Sequence, residues 1–555
     1  MFRRSFCAIT LGVLALPLSL AACGSAEDPE DSGAEQAIAQ ALDLGLGDSQ
    51  SGHRAWRNDR STLDNAFAAL GGQSNLLSLE RLSYRTEGER FARGESYFPD
   101  DGVLNTHHFE GTVRYDVAQG RSRQDLLRRQ ATFGTPGQVL ALAVKLDGDS
   151  GEIEGSESFF GFPGGPLLPD GAGAARRELQ LLNPEVLLRQ VASGALRTRD
   201  IGAVNLGGND YARILVEDPV RSIRLYVSQR TGLIAALSTL ENDPLLRDTT
   251  VTAVFQWTHR GGSVSPVPVG AAIRFGEDWV YSEHRSEVRV GETFSEDIFR
   301  FNANPIVDPA ASRRGALQRE FHQGFASLGI LRVDGDKSVV TTATVGPGAV
   351  LIMGDGYNSL LLERSRGLVL VEAPLNEERS LAIEAVARAS FPGKHITDVI
   401  VTHHHEDHLG GIRTFIARGA RIVIAREASE YIERIAQARS TLIPDTLAAR
   451  PRPANLLYVE GDGRSLPDAT LPIEVRPLGN GHAAGMLMAV VPALSLAFES
   501  DLWDPPFPPV SIEIPAWERD LLDALDAQAP NVSLVVPGHG VPSPVSELRA
   551  TLNPR

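Results

Sequence analysis

The sequence predicts an α/β domain in its C-terminal part, preceded by a mostly antiparallel β domain. Three observations predict this. From about Ser78 to Phe301 the chain alternates short strand-like segments with Gly-rich breaks. From about Val339 onward, strand-like runs alternate with helical ones, the pattern of layered α/β proteins. Between the two, Asn302 to Leu317 carries Pro305, Pro309 and the pair Arg313-Arg314 and reads as a linker. A chain of 555 residues is also too long for one core, so two or more domains are expected.

Residues 1–22 read as a signal peptide. Arg3 and Arg4 precede an apolar run from Phe6 to Leu20 that is too short for a comfortable membrane span. The phrase Leu20-Ala21-Ala22-Cys23 resembles the lipobox of bacterial lipoproteins. That resemblance implies cleavage before Cys23, lipidation of Cys23, loss of Cys7 and, with Gly24 following, residence at the outer membrane facing the periplasm. A plain secretory signal cleaved near Ala22 would export the chain as well. Several buried acyl chains would anchor it stably, at roughly 0.8 kcal/mol per buried methylene. Both cysteines of the sequence lie in the first 23 residues. The folded part therefore has no disulfide framework and no thiolate zinc site. Removing the leader takes away two arginines and no acids, so the formal charge moves from −17 to −19. Such a surface repels polyanions, and no basic patch with interleaved aromatics is present, which excludes nucleic acid as a partner.

Residues 23–60 read as an acidic tether, beginning with Glu27-Asp28-Pro29-Glu30-Asp31 and holding a weakly helical patch at Gln36 to Leu42. Residues 61–301 form the β-rich domain. It opens with a helix from Ser61, a candidate N-cap, to a stop at Gly71. Strands are predicted at Arg81 to Arg90, Thr106 to Asp116, Arg221 to Ser228, Leu233 to Thr239 and Tyr281 to Val290. Gln229-Arg230-Thr231-Gly232 reads as a hairpin turn. With Ala69-Leu70-Gly71-Gly72, this strand and turn pattern resembles the curved half-barrels of bacterial lipoprotein-carrier proteins, which implies a concave apolar face that holds acyl chains. A structural dimerisation or substrate-gating domain fits the same pattern.

Residues 302–335 are the linker and residues 336–555 the α/β domain. Strands are expected at Ser359 to Leu362 and Leu368 to Val371, a helix at Asn376 to Ala389, then the strand Thr397 to Thr402. A helix at Ile412 to Arg418 and a strand at Arg421 to Ala425 follow. The strand at Thr397 to Thr402 runs into His403-His404-His405-Glu406-Asp407-His408-Leu409-Gly410-Gly411. Three imidazoles and a carboxylate in the pattern His-x-His-x-Asp-His point to a metal, because Zn²⁺ takes imidazole nitrogen and carboxylate oxygen. In an extended loop His403 and His405 face the same side, and Gly410 and Gly411 allow a tight backbone turn.

This run resembles the metal-binding signature of the metallo-β-lactamase-fold hydrolases. Three later stretches resemble the rest of that signature in the same order: Pro477-Leu478-Gly479-Asn480-Gly481-His482, Leu496-Ala497-Phe498-Glu499-Ser500-Asp501 and Leu534-Val535-Val536-Pro537-Gly538-His539-Gly540. The resemblance covers roughly the last 215 residues and implies a four-layer αββα sandwich. It also implies two divalent ions, zinc first, with iron or manganese able to fill the same ligands. His403, His405 and His482 would hold one ion. Asp407, His408 and His539 would hold the other, and Asp501 would bridge them. Ser500 stands where the family often has glycine, a departure expected only to tighten the backbone. Glu372 stands where many members carry an aspartate and is read as supporting rather than ligating. His404 and Glu406 are read as pointing away from the metals.

The expected chemistry is hydrolysis by a hydroxide shared between the ions, with Asp407 and Asp501 as the catalytic carboxylates. An aspartate at the place of Asp501 resembles lactonases, glyoxalase-type thioesterases and general hydrolases more than true β-lactamases. An ester, thioester, lactone or similar bond in a small, apolar substrate is therefore expected. The loop Trp503-Asp504-Pro505-Pro506-Phe507-Pro508-Pro509 is a candidate wall for that substrate or a packing loop. Two other readings stay open: a β-lactamase-like amide hydrolase, and a lipid- or ligand-binding lipoprotein whose metal-stabilised domain turns over little.

Overall fold

The computed structural model describes residues 56–552 and Ile38, apart from residues 100, 133–135, 157–162, 168, 220, 244, 259–265, 303–337 and 506–513. The leader with Cys23, nearly all of the expected tether and linker, and Pro506 to Pro509 lie outside the described residues. Among the described residues no helix is long and apolar enough to cross a membrane.

Thirteen strands among the described residues form one antiparallel sheet built as two meanders. The first six step outward in chain order from Arg81–Ala92 to Pro163–Pro166. The other seven begin at the opposite edge with Arg197–Leu206 and step back to Asp278–Val290, which pairs with Arg81–Ala92 in the middle of the sheet. The hairpin after Ser222–Ser228 turns at Gly232, whose φ of 78° and N–H to the Ser228 carbonyl (2.8 Å) close it. The opening helix spans Thr62–Ala69, and Ser61 caps it by accepting the Asp64 N–H.

Two further helices, Pro169–Leu182 and Pro184–Ala192, were not expected from the sequence. Gly171 and Gly173 lower the helix propensity of the first one's early turns. Tertiary packing decides instead. Leu181, Leu182, Leu187 and Leu188 share one core with Phe109, Leu126, Val227 and Phe255 of the sheet. On that face a cavity of about 10 Å³ lies beside Arg90, Phe109 and Glu178, room for about one water.

The C-terminal part stacks two sheets face to face. Seven strands run in the order of the chain from Thr341–Gly346 to Asn455–Val459, the first four antiparallel and the rest parallel. Six more run from Arg464–Leu466 to Ser543–Pro544. In Gly367–Val371 the alternation is visible residue by residue. Val369 and Val371 face the other sheet, beside Ile473, Ala489 and Phe498. Leu368 and Leu370 face the helices Glu377–Ser390 and Ile412–Arg418. The second sheet packs its outer face on Ile514–Gln528 and Val545–Leu552. The result is an αββα sandwich.

The two parts interlock. Leu245, in the turn before Arg247–Thr258, is buried in the C-terminal core beside Phe415 and Ile432. Asp248 accepts the backbone N–H groups of Thr441 (2.7 Å) and Leu442 (3.1 Å).

Candidate metal centre

Four loops converge, each leaving the C-terminal end of a strand, where open α/β sheets place their ligands. Ile396–Ile400 delivers His403, His405, Asp407 and His408; Ile473–Leu478 delivers His482; Leu496–Glu499 delivers Asp501; Leu534–Pro537 delivers His539. The structure brings all seven expected residues together. One potential ligand atom from each of His403, His405, His482 and Asp501 lies within 4.8 Å of the others, and the same holds for Asp407, His408 and His539. Asp501 stands between the sets. Its Oδ2 is 3.5 Å from His403 Nε2, 3.2 Å from His482 Nε2 and 3.0 Å from His408 Nε2, while Oδ1 is 3.3 Å from His539 Nε2.

These residues fit a pair of metal ions. Neighbouring ligands of a tetrahedral ion with bonds of about 2.1 Å stand about 3.4 Å apart, close to the spacings around Asp501. More telling, His403 Nε2, His405 Nδ1, His408 Nε2, His482 Nε2 and Asp407 Oδ1 are buried with no hydrogen-bond partner. Five orphaned polar atoms at one spot would cost several kcal/mol unless a cation satisfied them.

The charges carry the same message. Burial, with His408 nearby, pushes His403 down to about 3. Against the upward push of burial, His408, His403 and His482 hold the Asp501 carboxyl well below the usual range. Against the downward push of burial, Asp501 raises His539 to about 9.

Glu372 groups geometrically with His403 and His408, but its Oε2 meets His408 at Nδ1, 2.6 Å away. That is the far side of the ring from Asp501, so Glu372 orients a ligand rather than serving as one. Thr402 Oγ1 donates to the other Glu372 oxygen. Both Glu372 (φ 71°) and Asp501 (φ 64°) sit in the left-handed region, uncommon for residues with a side chain. Ser500 does more than tighten the backbone. Its hydroxyl lies 3.1 Å from His408 Nδ1 and 3.2 Å from Asp501 Oδ1.

The two glycines after the run also differ from expectation. Neither takes a left-handed turn, Gly410 having φ −56° and Gly411 φ −91°. They are small because the chain passes close by. A Cβ on Gly410 would strike the Leu375 carbonyl, and one on Gly411 the Ser380 hydroxyl.

Several residues at the site carried no local signal in the sequence. Tyr357 Oη donates to Asp407 Oδ2 at 3.0 Å, leaving Oδ1 free. Trp517 packs edge-on to His482 with ring centres 4.8 Å apart. Burial pushes Asp504, in the loop after Asp501, up to about 7.

The largest omission comes from the N-terminal sheet. Its segment Arg93–Phe98, leaving strand Arg81–Ala92, reaches the histidine loop. Arg93 ties the segment to its own sheet through Asp243 (2.6 Å) and Asp278 (3.0 Å). The Ser96 carbonyl accepts from His404 Nε2 at 2.8 Å and lies 3.3 Å from His405 Nε2. The Tyr97 carbonyl accepts the Ala484 N–H at 2.7 Å. Glu95 Oε2 is 3.7 Å from His405 Nδ1. His404, read as pointing away from the metals, is thus a docking point for the other half of the chain. Glu406 faces the same way, against Gly94.

Residues 352–485 match the model of the metallo-beta-lactamase superfamily. A metallo-beta-lactamase type 2 of Bacillus cereus is 26% identical over 192 residues, which is 33% of this chain and 66% of the relative. A hydroxyacylglutathione hydrolase of Alkalilimnicola ehrlichii is 36% identical over 69 residues, 12% of this chain and 25% of the relative. The chain thus spans just under two thirds of the length of the first of these relatives and a quarter of the other. Among solved structures, the metallo beta lactamase of Hirschia baltica is 20% identical with a TM-score of 0.31, covering 38% of this chain and 96% of that one.

Proposed function

Because residues 352–485 of this chain match the metallo-beta-lactamase superfamily, we propose that the protein is a dinuclear metal-dependent hydrolase of that kind, exported and lipid-anchored through Cys23, that cleaves an ester, thioester, lactone or similar bond in a small apolar molecule. One observation carries the reading. Seven side chains from four separate loops aim their ligand atoms at one another, and five of those atoms are buried with no other partner.

His403, His405, His482 and Asp501 would hold one ion, and Asp407, His408, His539 and Asp501 the other. Zinc is favoured, although iron or manganese suits the same donors. Such a pair supplies Lewis acidity towards a carbonyl oxygen and makes water acidic enough to act as a nucleophile near neutral pH. The chain's own groups do the rest. Tyr357 holds Asp407 at Oδ2 and so fixes the direction in which Oδ1 faces the centre. Asp504, in the loop after Asp501, keeps its Oδ1 buried with no hydrogen-bond partner. Trp517 beside His482, with the exposed rings of Tyr97 and Phe98 nearby in the chain segment that meets Ala484, offers apolar surface to the substrate.

The experiment is a metal count on the purified protein followed by a panel of chromogenic esters, thioesters, lactones and a cephalosporin. Two ions per chain and chelator-sensitive turnover on the first three classes are expected. Turnover confined to the cephalosporin would move the assignment to amide hydrolysis, the direction favoured by the B. cereus relative. Two ions with no turnover on any class would favour a binding protein. Anchoring is tested separately: Cys23→Ser should release the protein from the membrane fraction, and its retention there would refute lipidation at that residue.

A further inference from the structure

Among the described residues only two aromatic side chains stand well exposed, and they are neighbours. Tyr97 is 39% and Phe98 47% exposed, with ring centres 4.9 Å apart in an edge-on pair. A single exposed apolar side chain is ordinary, but this pair sits on the segment of the N-terminal sheet that reaches the histidines. Its place is fixed by the loop that delivers His482. The Tyr97 carbonyl accepts the Ala484 N–H at 2.7 Å, and the Tyr97 hydroxyl donates to the Asn480 carbonyl at 3.4 Å, so one residue spans that loop. Asn480 closes the loop from within, its Oδ1 accepting the N–H groups of His482 (2.7 Å) and Ala483 (2.8 Å). Trp517, from the helix Ile514–Gln528, meets the same loop. Its ring centre is 4.8 Å from that of His482, and its indole nitrogen lies 3.2 Å from where a Cβ on Gly481 would stand. The loop that holds a candidate metal ligand thus carries aromatic rings from both halves of the chain.

Resting on the hydrolase reading, we infer that Tyr97 and Phe98 are specificity-determining residues: they form the wall of the cleft on the His482 side and select esters that carry an extended apolar group, aromatic or aliphatic, next to the scissile bond. The wall is held at both ends. Arg93 ties its segment to the N-terminal sheet through Asp243 and Asp278, and the Ser96 and Tyr97 carbonyls tie it to the sandwich through His404 and Ala484. Wall and ligand loop are bonded to each other, so one loop sets the distance between the apolar group and the carbonyl under attack. Each methylene buried against the rings adds up to about fourfold to binding, and a substrate ring meeting them adds about two- to tenfold more. The thirteen-stranded sheet is then the scaffold that carries the recognition surface, while the sandwich carries the chemistry.

The test uses the full-length, zinc-loaded protein and four p-nitrophenyl esters: acetate, butyrate, hexanoate and phenylacetate. The wild type is compared with Tyr97→Ala, Phe98→Ala, Tyr97→Phe and Leu77→Ala, the last an exposed apolar residue of the same half outside the site. Tyr97→Ala keeps the carbonyl that holds Ala484, and zinc content is measured for every variant. In the wild type kcat/KM should rise about tenfold or more from acetate to hexanoate and to phenylacetate. Tyr97→Ala and Phe98→Ala should each lower the two larger esters about fivefold more than acetate, through KM rather than kcat. Tyr97→Phe keeps the ring and should keep the preference, and Leu77→Ala should match the wild type on all four esters. A flat wild-type profile, or an equal loss on all four esters in Tyr97→Ala and Phe98→Ala, would overturn the inference while leaving the hydrolase standing. No turnover of any of these esters would also overturn it, and would overturn the parent reading only if thioesters and lactones were left uncleaved as well.

Discussion

Glu372 Oε2 and His408 Nδ1 lie 2.6 Å apart, and this contact decides which nitrogen of the ring faces Asp501. An ionised carboxylate only accepts, so Nδ1 carries the proton and Nε2 presents its lone pair to the centre. Glu372→Gln removes that bias, because an amide can donate as readily as it accepts. The variant should bind zinc about 10–100-fold more weakly with its fold intact, as read by chelator competition and circular dichroism. Unchanged affinity would show that the contact has no orienting role.

Stripping the metals should cost stability as well as activity. The orphaned nitrogens of four histidines then have no partner, and metal binding that favours the folded chain contributes about 2.7 kcal/mol when free ion stands at a hundredfold excess over Kd. A thermal scan of chelated protein, with and without added zinc, should show the midpoint rising as zinc is titrated in. Coincident scans would contradict the centre described here.

Gly410→Ala should disturb the histidine loop through its packing. The added methyl meets the Leu375 carbonyl, and the Leu375 N–H is itself bonded to the Asp407 carbonyl at 2.8 Å. The cost should be about 1–3 kcal/mol, or about 2–4 °C of melting temperature per kcal/mol for a domain of this size. Gly479 has open space around its Cβ position, and Gly479→Ala should stay within about 0.5 kcal/mol. Equal melting temperatures for the two variants would refute the packing argument.

Asp445 offers a pH test away from the metals. Burial pushes its carboxyl up, but Arg413 and the Ala448 N–H win and hold it below the usual range. The unfolded chain, with a value near 3.9, therefore takes the proton first as the pH falls. Stabilisation by this group is complete above about pH 4 and is lost below it. Asp445→Asn leaves the buried Arg413 without its counter-charge and should cost about 3–5 kcal/mol at pH 7. Denaturant midpoints should converge with those of the wild type as the pH drops below about 4. A constant gap down to pH 2 would sink the assignment.

What the sequence made legible follows from distance along the chain. His403, His405, Asp407 and His408 form a local run, and each later ligand follows its own apolar strand, so pattern alone finds them. The strand Arg421–Ala425 and the helix Ile412–Arg418 carry their own periodicity and fall where expected. The helix Pro169–Leu182 is harder to read, because Gly171 and Gly173 weaken its first turns and packing on the sheet holds it. Glu95 is invisible for a different reason. It touches His405 from the other end of the fold, and nothing in the residues around it records that approach. The glycines beside the histidines look like a turn in the sequence, whereas the structure uses them as clearance.

The pairing of Leu82 with Val290 sets an order of assembly. The strand that carries the Glu95 segment waits for its central neighbour until nearly three hundred residues have been synthesised, and such long-range closure is slow. The histidine cluster lies later still. A ribosome-bound fragment ending before residue 278 therefore lacks the strand that closes the middle of the sheet, and the full set of candidate ligands exists only once His539 has been synthesised.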